Sequence, residues 1–182
     1  MKTNLVNKVY AKVVFYPTLA WNCLLGRILK VRNWWDHVDP NVIVGAYPFA
    51  RDVRAMSQAG VTSVVNTCEE YVGPVDQYDK FGIEQLRIPT TDFTHPRLED
   101  VQRAVEFVEQ QVQRGGTVYI HCKAGRARSA TVALCWLMKY RQMDLLSAQE
   151  HLLRHRAHVN PRLTQRPVVL QFQNTLDGSV AD

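Results

Sequence analysis

Apolar residues follow two different patterns along the chain from about residue 38 onward. The runs at 41–47 and 61–67 are rich in Val and Ile, which is typical of buried strands. The segment 83–89 alternates apolar and polar positions, and a further apolar run covers 117–122. These four segments are therefore predicted to be strands.

The segments between these strands have helical spacing. A short helix is predicted at 50–59, and it ends at Gly60, a residue type that commonly follows a helix C-terminus. Apolar residues repeat at helical intervals from Leu98 to Val112 and stop before Gly115-Gly116. Residues 129–140 are apolar on nearly every face, which predicts a buried helix.

Two further helix starts are predicted towards the C-terminus. Ser147 and Glu150 have the S-x-x-E spacing of a capping box. Asn160 followed by Pro161 is typical of an N-cap and a first helical position. Because strands and helices alternate, we expect an α/β fold with a central, mostly parallel β-sheet of about four to five strands and helices on both faces.

The first 35 residues differ from the rest. Their apolar run at 13–25 is too short to span a bilayer. Basic residues flank it, which favours a helix at a membrane interface; a helix packed on the domain is the alternative. The predicted organisation is a basic apolar N-terminal segment at 1–35, one globular domain at 36–176 and a tail at 177–182.

The charge distribution refines this picture. The chain of 182 residues has a formal net charge of +5, and residues 1–35 hold six of its 22 Lys and Arg but none of its 17 Asp and Glu. This disfavours a general nucleic-acid binder and favours an anionic membrane surface as a local partner. The four cysteines form no CxxC pair and no metal-ligand spacing, so we expect neither a metal nor a cofactor.

The candidate chemistry lies in "YIHCKAGRARSATV", residues 119–132. A strand, a short loop and a helix start can form a phosphate cradle from backbone N–H groups and the helix dipole. Arg128 can grip two phosphate oxygens, and the same positive surroundings are expected to make Cys122 a thiolate nucleophile. The predicted phosphate-binding loop consists of Lys123, Ala124, Gly125, Arg126 and Ala127, together with Arg128.

The Cys122-x5-Arg128 motif resembles the active-site signature of the protein tyrosine phosphatase superfamily. "FYPTL" (15–19), "WWDHVDPNVIVGAYP" (34–48), "EEY" (69–71) and "HCKAGRARSAT" (121–131) together resemble its dual-specificity type. The order of these motifs is most similar to the mitochondrial phosphatidylglycerophosphate phosphatase subfamily. The resemblance implies the dual-specificity phosphatase fold for the domain at 36–176.

The resemblance also implies roles for single residues. An aspartate protonates the leaving group and later activates water; we assign it to Asp92 in "PTTDFTHP", with helix capping as the alternative role, and Asp100 is the weaker candidate. We expect the Ser129 hydroxyl to donate to the cysteine sulfur, to cap the helix, or both. His121 is expected to order the loop rather than to transfer protons.

Four residues are expected to bear on the substrate. Lys123 and Arg126 add cations beyond those that one phosphate needs, which favours a phospholipid with extra negative charge; the alternative is that they face solvent or pair with acids. Glu70 is expected to orient Arg126 or Arg128, and Tyr71 to line the pocket beside the glycerol of the lipid. Val72 follows this motif where the animal proteins tend to have another Glu.

The predicted activity is hydrolysis of the phosphomonoester of phosphatidylglycerophosphate through a cysteinyl-phosphate. The alternatives are a dual-specificity protein phosphatase, a phosphoinositide phosphatase, or a phosphate-binding scaffold without turnover. The resemblance implies a membrane-associated protein, at the mitochondrial inner membrane in a eukaryote or the cytoplasmic face of the inner membrane in a bacterium. Cys68 is a candidate disulfide partner for an oxidised Cys122.

Overall fold

A computed structural model describes residues 17–178 of the chain. Its centre is one five-stranded sheet with the order β1-β2-β5-β3-β4. β1 is antiparallel to β2, whereas the β2–β5, β5–β3 and β3–β4 pairs are parallel. The mostly parallel sheet expected from the sequence is therefore confirmed. The strands are β1 (Trp35–Asp39), β2 (Val42–Gly45), β3 (Val61–Cys68), β4 (Glu84–Thr90) and β5 (Thr117–His121).

Helices cover both faces of this sheet. Four of them, α4 to α7, pack on one face, and the two short helices α2 and α3 pack on the other. The described part of α1 covers residues 17–23 and continues as one π-helical turn, Leu24–Ile28. The others are α2 (Val53–Gln58), α3 (Val75–Lys80), α4 (Leu98–Gln113), α5 (Arg128–Tyr140), α6 (Leu145–His155) and α7 (Pro167–Gly178).

The period of two along the strands divides the core into two layers. In β5, Val118 and Ile120 face the large helical layer, whereas Tyr119 faces α2 and α3. Every residue of β5 is buried, which agrees with its central position. The helix predicted at 129–140 is also confirmed as a buried element, because α5 packs against the sheet, α4, α6 and α7.

Several local predictions were wrong. The N-cap of α6 is Asp144, whose side chain accepts from the N–H groups of Leu146 and Ser147, so the helix begins before the proposed Ser147 capping box. Asn160 instead accepts from the N–H of Arg162 in a turn, and α7 begins only at Pro167. The sequence patterns also missed β1 and α3, which are only five and six residues long.

The described N-terminal residues contact the domain. Arg27 forms an ion pair with Asp52 at the start of α2, and its guanidinium lies 4.2 Å from the centre of the Trp34 ring. Between residues 17 and 178, no helix is long and apolar enough to cross a bilayer. Residues 1–16, which include part of the predicted interface helix, and tail residues 179–182 lie outside the described residues.

The parallel topology fixes where chemistry can occur. The carboxyl ends of β3, β4 and β5 lie at the same edge of the sheet. The loops that follow them begin at Glu69, Thr91 and Cys122. Three segments that are distant in sequence therefore meet at one site.

Candidate active site

The loop between β5 and α5 has a backbone conformation that requires glycine. Gly125 has φ +65°, and a Cβ at this position would lie 2.6 Å from the carbonyl carbon and oxygen of Gly45. Arg156, which is fully buried, donates from Nε to the Gly125 carbonyl at 2.9 Å and from a terminal nitrogen to the Ala124 carbonyl at 3.3 Å. Arg156 is itself paired with Asp36 of β1. Arg156 thus holds the loop in place through two of its carbonyl groups, and the sequence patterns did not single it out.

Cys122 lies at the start of this loop with only 4% of its surface exposed. The Ser129 hydroxyl donates to Cys122 Sγ at 3.3 Å. Burial alone would raise the pKa of the Cys122 thiol, but the Arg128 charge, the Ser129 hydroxyl and the N–H groups of Ser129 and Arg126 together lower it to about 7. A substantial thiolate fraction is therefore present at neutral pH, as a nucleophile requires.

Arg128 is held by three oxygen atoms. One terminal nitrogen donates to Glu70 Oε2 at 2.9 Å and to the Thr90 carbonyl at 2.6 Å, and the other donates to Asp92 Oδ1 at 2.9 Å. Glu70 also accepts, through Oε1, from the backbone N–H of Asp92 at 2.9 Å. Glu70 thus pairs with Arg128, one of the two arginines proposed for it, and ties the β3 and β4 loops together.

Asp92 lies directly over the loop. Its carboxylate contacts Arg128 through Oδ1 and Lys123 through Oδ2. It does not cap α4, whose N-cap is Arg97, and Asp100 is engaged away from the site by Arg97 and Arg103. Of the two candidate acids, the structure brings only Asp92 to the cysteine loop.

The two extra cations differ in their surroundings. Lys123 is buried, and its ammonium donates to Thr18 Oγ1 of α1 at 2.7 Å as well as to Asp92. Arg126 is exposed, and its Nε donates to the His158 carbonyl at 2.8 Å. Lys123 therefore links α1 to the acid loop, whereas Arg126 lies at the rim.

The rings of Tyr71 and His121 contact each other edge to face next to the cysteine loop. The Tyr71 hydroxyl donates to the Pro48 carbonyl at 2.6 Å, and its ring stacks on Tyr47 with centroids 3.6 Å apart. Tyr71 was expected to line the substrate pocket beside the glycerol of the lipid, but it is not among the described residues that form the wall of the pocket above Cys122. His121 is fully buried, and burial lowers its pKa to about 3, so the ring is neutral. Its carbonyl accepts from Thr67 Oγ1 at 2.9 Å.

These elements enclose a pocket of about 440 Å³ above Cys122. Besides the cysteine loop, its wall contains residues that the sequence patterns did not single out. Phe93 follows the acid with φ +63° and 64% exposure, Trp21 of α1 is 58% exposed, and Arg166 precedes α7. The remaining wall residues outside the loop are Thr18, Asn22, Asp92, Thr94 and Asn160.

Cys68 ends β3, the strand next to β5, and is buried with a thiol pKa raised by that burial. All four cysteines are free thiols. The pairing of Cys68 with an oxidised Cys122 stays a prediction.

Comparison with known proteins agrees with this architecture. The family of dual specificity phosphatase catalytic domains matches residues 42–175. Phosphatidylglycerophosphate phosphatase PTPMT2 of Arabidopsis thaliana is 37% identical over 164 residues, which cover 88% of this chain and 72% of the relative. The human phosphatidylglycerophosphatase and protein-tyrosine phosphatase 1 is 32% identical, with 96% of this chain and 91% of the relative covered.

Solved structures give the same result. A crystal structure of PTPMT1 in complex with PI(5)P superposes with a TM-score of 0.75 at 28% identity, covering 82% of this chain and all of the other. A second PTPMT1 crystal structure has a TM-score of 0.74 at 31% identity, covering 81% and 99%. The family match spans strands β2 to β5 and the cysteine loop. The chain is therefore a cysteine-based phosphoester hydrolase that belongs to the dual-specificity phosphatases of the protein tyrosine phosphatase superfamily, in the phosphatidylglycerophosphate phosphatase subfamily.

Proposed function

We propose that this protein hydrolyses the terminal phosphomonoester of phosphatidylglycerophosphate to give phosphatidylglycerol and inorganic phosphate. One observation carries the proposal: Cys122, with its pKa lowered to about 7, opens into the same cationic pocket as Arg128 and Asp92. The names of the plant and human relatives, which are phosphatidylglycerophosphate phosphatases, support this substrate.

The first step forms a cysteinyl-phosphate. The Cys122 thiolate attacks phosphorus, the bond from phosphorus to the glycerol oxygen breaks, and protonated Asp92 gives its proton to that oxygen. The loop N–H groups and the guanidinium of Arg128 donate hydrogen bonds to the phosphoryl oxygens in the transition state. Substrate binding has to displace Asp92 from Arg128, because Asp92 Oδ1 holds one of the two terminal nitrogens at 2.9 Å. Displacement from Arg128 frees Oδ1 of Asp92 to reach the leaving oxygen.

The second step releases phosphate. Asp92, now ionised, removes a proton from a water molecule that attacks the phosphorus, and the sulfur leaves as a thiolate. The Ser129 hydroxyl, at 3.3 Å from Sγ, stabilises the departing negative charge. Glu70 keeps its contact with the first nitrogen of Arg128 throughout, so the guanidinium does not rotate away.

A lipid surface fits the mouth of the pocket. Trp21 and Phe93 are exposed at its wall. Ile28 at the end of the π-helical turn is 70% exposed, and Leu29 and Val31 after it are 56% and 67% exposed. These apolar side chains, with the basic N-terminal segment, would contact a bilayer that carries anionic lipid. We therefore propose membrane association, at the mitochondrial inner membrane in a eukaryote or the cytoplasmic face of the inner membrane in a bacterium.

The deciding experiment measures phosphate release from phosphatidylglycerophosphate in liposomes and from a phosphotyrosine peptide. Wild type and Cys122→Ser are compared. A large lipid preference that disappears in the variant supports the proposal. A preference for the peptide would refute the lipid substrate while leaving the cysteine mechanism intact.

A phosphoinositide is the second candidate substrate, because a PTPMT1 crystal structure is described in complex with PI(5)P. The same liposomes are therefore prepared with phosphatidylinositol 5-phosphate in place of phosphatidylglycerophosphate. A higher kcat/KM for the phosphoinositide would replace the proposed substrate with this one.

A further inference from the structure

Arg166 is a cation in the pocket wall that the two chemical steps do not use. It lies in the same wall as Cys122 and Arg128. Its charge interacts with that of both residues, and burial lowers its pKa. A guanidinium withdrawn from water loses hydration, and this loss is normally compensated by an acidic partner.

No such acidic partner is present for Arg166 among residues 17–178. Its one side-chain hydrogen bond there is long, from a terminal nitrogen to Thr131 Oγ1 at 3.5 Å. Four other arginines withdrawn from solvent have carboxylate partners: Arg27 with Asp52, Arg128 with Glu70 and Asp92, Arg141 with Asp39, and Arg156 with Asp36. Arg32 and Arg87 donate instead to the Asn22 side-chain oxygen and the Cys68 carbonyl, and neither of them lines the pocket. The guanidinium of Arg166 is therefore available for an anion that enters the pocket.

The backbone holds Arg166 in place. It precedes Pro167, the first residue of α7, and has the extended conformation (φ −75°, ψ +131°) that a residue before proline favours. Its N–H donates to the Leu163 carbonyl at 3.0 Å, and its own carbonyl accepts from the first turn of α7. Few backbone degrees of freedom are thus left to be lost when it binds a ligand.

We propose that Arg166 determines substrate specificity by binding a second anionic group, the phosphodiester of the substrate, while the cysteine loop binds the phosphomonoester. This deepens the proposed function and rests on it. Lys123 and Arg126 were together expected to supply the extra cations, but the Lys123 ammonium contacts Asp92 and Thr18, and Arg126 donates from Nε to the His158 carbonyl at the rim. A planar guanidinium can bind two phosphodiester oxygens at once.

A competition assay in solution tests this without a membrane. Wild type hydrolyses a simple aryl phosphate in the presence of one of two inhibitors. Glycerophosphoryl-glycerophosphate, the deacylated lipid headgroup, carries both phosphates, whereas glycerol 3-phosphate carries only the monoester. Arg166→Gln is compared with Arg162→Gln, which removes the same charge from an exposed position four residues earlier.

We expect Arg166→Gln to raise the inhibition constant of the two-phosphate compound by about 10- to 100-fold, the loss typical of a hydrogen bond to a charged group. The constant for glycerol 3-phosphate should change less than about threefold, and Arg162→Gln should alter neither constant by more than that. Arg166→Lys should lie between wild type and Arg166→Gln, because an ammonium cannot bind in the bidentate mode.

Two results would overturn the proposal. One is an equal loss of affinity for both inhibitors, accompanied by a raised pKa in the pH profile for aryl phosphate, because Arg166 would then act through Cys122. The other is no loss for either inhibitor. Wild-type turnover of phosphatidylglycerophosphate is measured separately, so failure of the proposed lipid substrate is distinguishable from failure of the role of Arg166.

Discussion

Replacing Ser129 with alanine removes the hydroxyl that lies 3.3 Å from Cys122 Sγ. A hydrogen bond to a charged group contributes about 1.5–3 kcal/mol. Because sulfur is a large and diffuse acceptor, we take the lower limit of this range. One pKa unit corresponds to about 1.36 kcal/mol, so the pKa of Cys122 should rise from about 7 to about 8 in Ser129→Ala.

This change has a defined pH dependence. The thiolate is the reactive form, so the rate of the first step decreases as the pH falls through the pKa of Cys122. At pH 7 the thiolate fraction should fall from roughly one half to roughly one tenth in the variant. Above about pH 9, Cys122 is ionised in both enzymes, so the rates of the first step become similar. Loss of phosphate from the cysteinyl-phosphate stays slower in Ser129→Ala. A burst of the aryl product should then precede the steady state.

The assay is the rate of alkylation by iodoacetamide between pH 5.5 and 9.5, followed at Cys122 by mass spectrometry. Cys122→Ser gives the background from the other thiols. Cys68 and Cys135 are buried and have raised pKa values, so they should react little in this range. A Ser129→Ala profile that superposes on that of wild type would refute the claim that this hydroxyl stabilises the thiolate.

Three further changes test separate parts of the site. Gly125→Ala should lower the free energy of unfolding, measured by urea titration, by about 1–3 kcal/mol more than Gly82→Ala does. Both glycines have positive φ, but only at Gly125 would a Cβ clash with backbone atoms. Equal losses in the two variants would contradict this close approach. Asp92→Asn should lower kcat for an aryl phosphate by about 10²- to 10⁴-fold, and Asp100→Asn should leave it near wild type; the reverse order would exclude Asp92 as the acid. Ile28→Ala, at an exposed residue outside the pocket wall, should slow hydrolysis of liposomal lipid while turnover of a soluble aryl phosphate stays unchanged, and equal slowing would argue against membrane contact.

The sequence by itself determined the fold class and the centre of the chemistry. Burial of one face leaves a periodic pattern in the sequence, and α4 and β4 were predicted from it. Burial on all sides leaves a continuous apolar run, and β2, β3, β5 and α5 were predicted from such runs. The cysteine loop could also be predicted because its nucleophile, its glycine and Arg128 lie within seven consecutive residues. Asp92 was assigned from the resemblance to the phosphatase superfamily, together with its position after a predicted strand.

Helix starts were the weaker part of this prediction. Ser147 has the right spacing for a capping box, but Asp144 is the side chain that accepts from the first N–H groups of α6. Several polar residues near a helix start can accept from the same N–H groups, and the sequence does not show which of them becomes the N-cap.

The tertiary structure decided which distant side chains meet. The pairing of Glu70 with Arg128, the brace that Arg156 gives to the loop and the position of Arg166 in the pocket each join segments far apart in the chain. Such contacts depend on strand order and loop path, because a charged side chain takes the partner that the fold brings within hydrogen-bond distance. Lys123 illustrates the reason: its position in the sequence did not indicate which side chains lie beside it, and the fold places Asp92 and Thr18 at its ammonium.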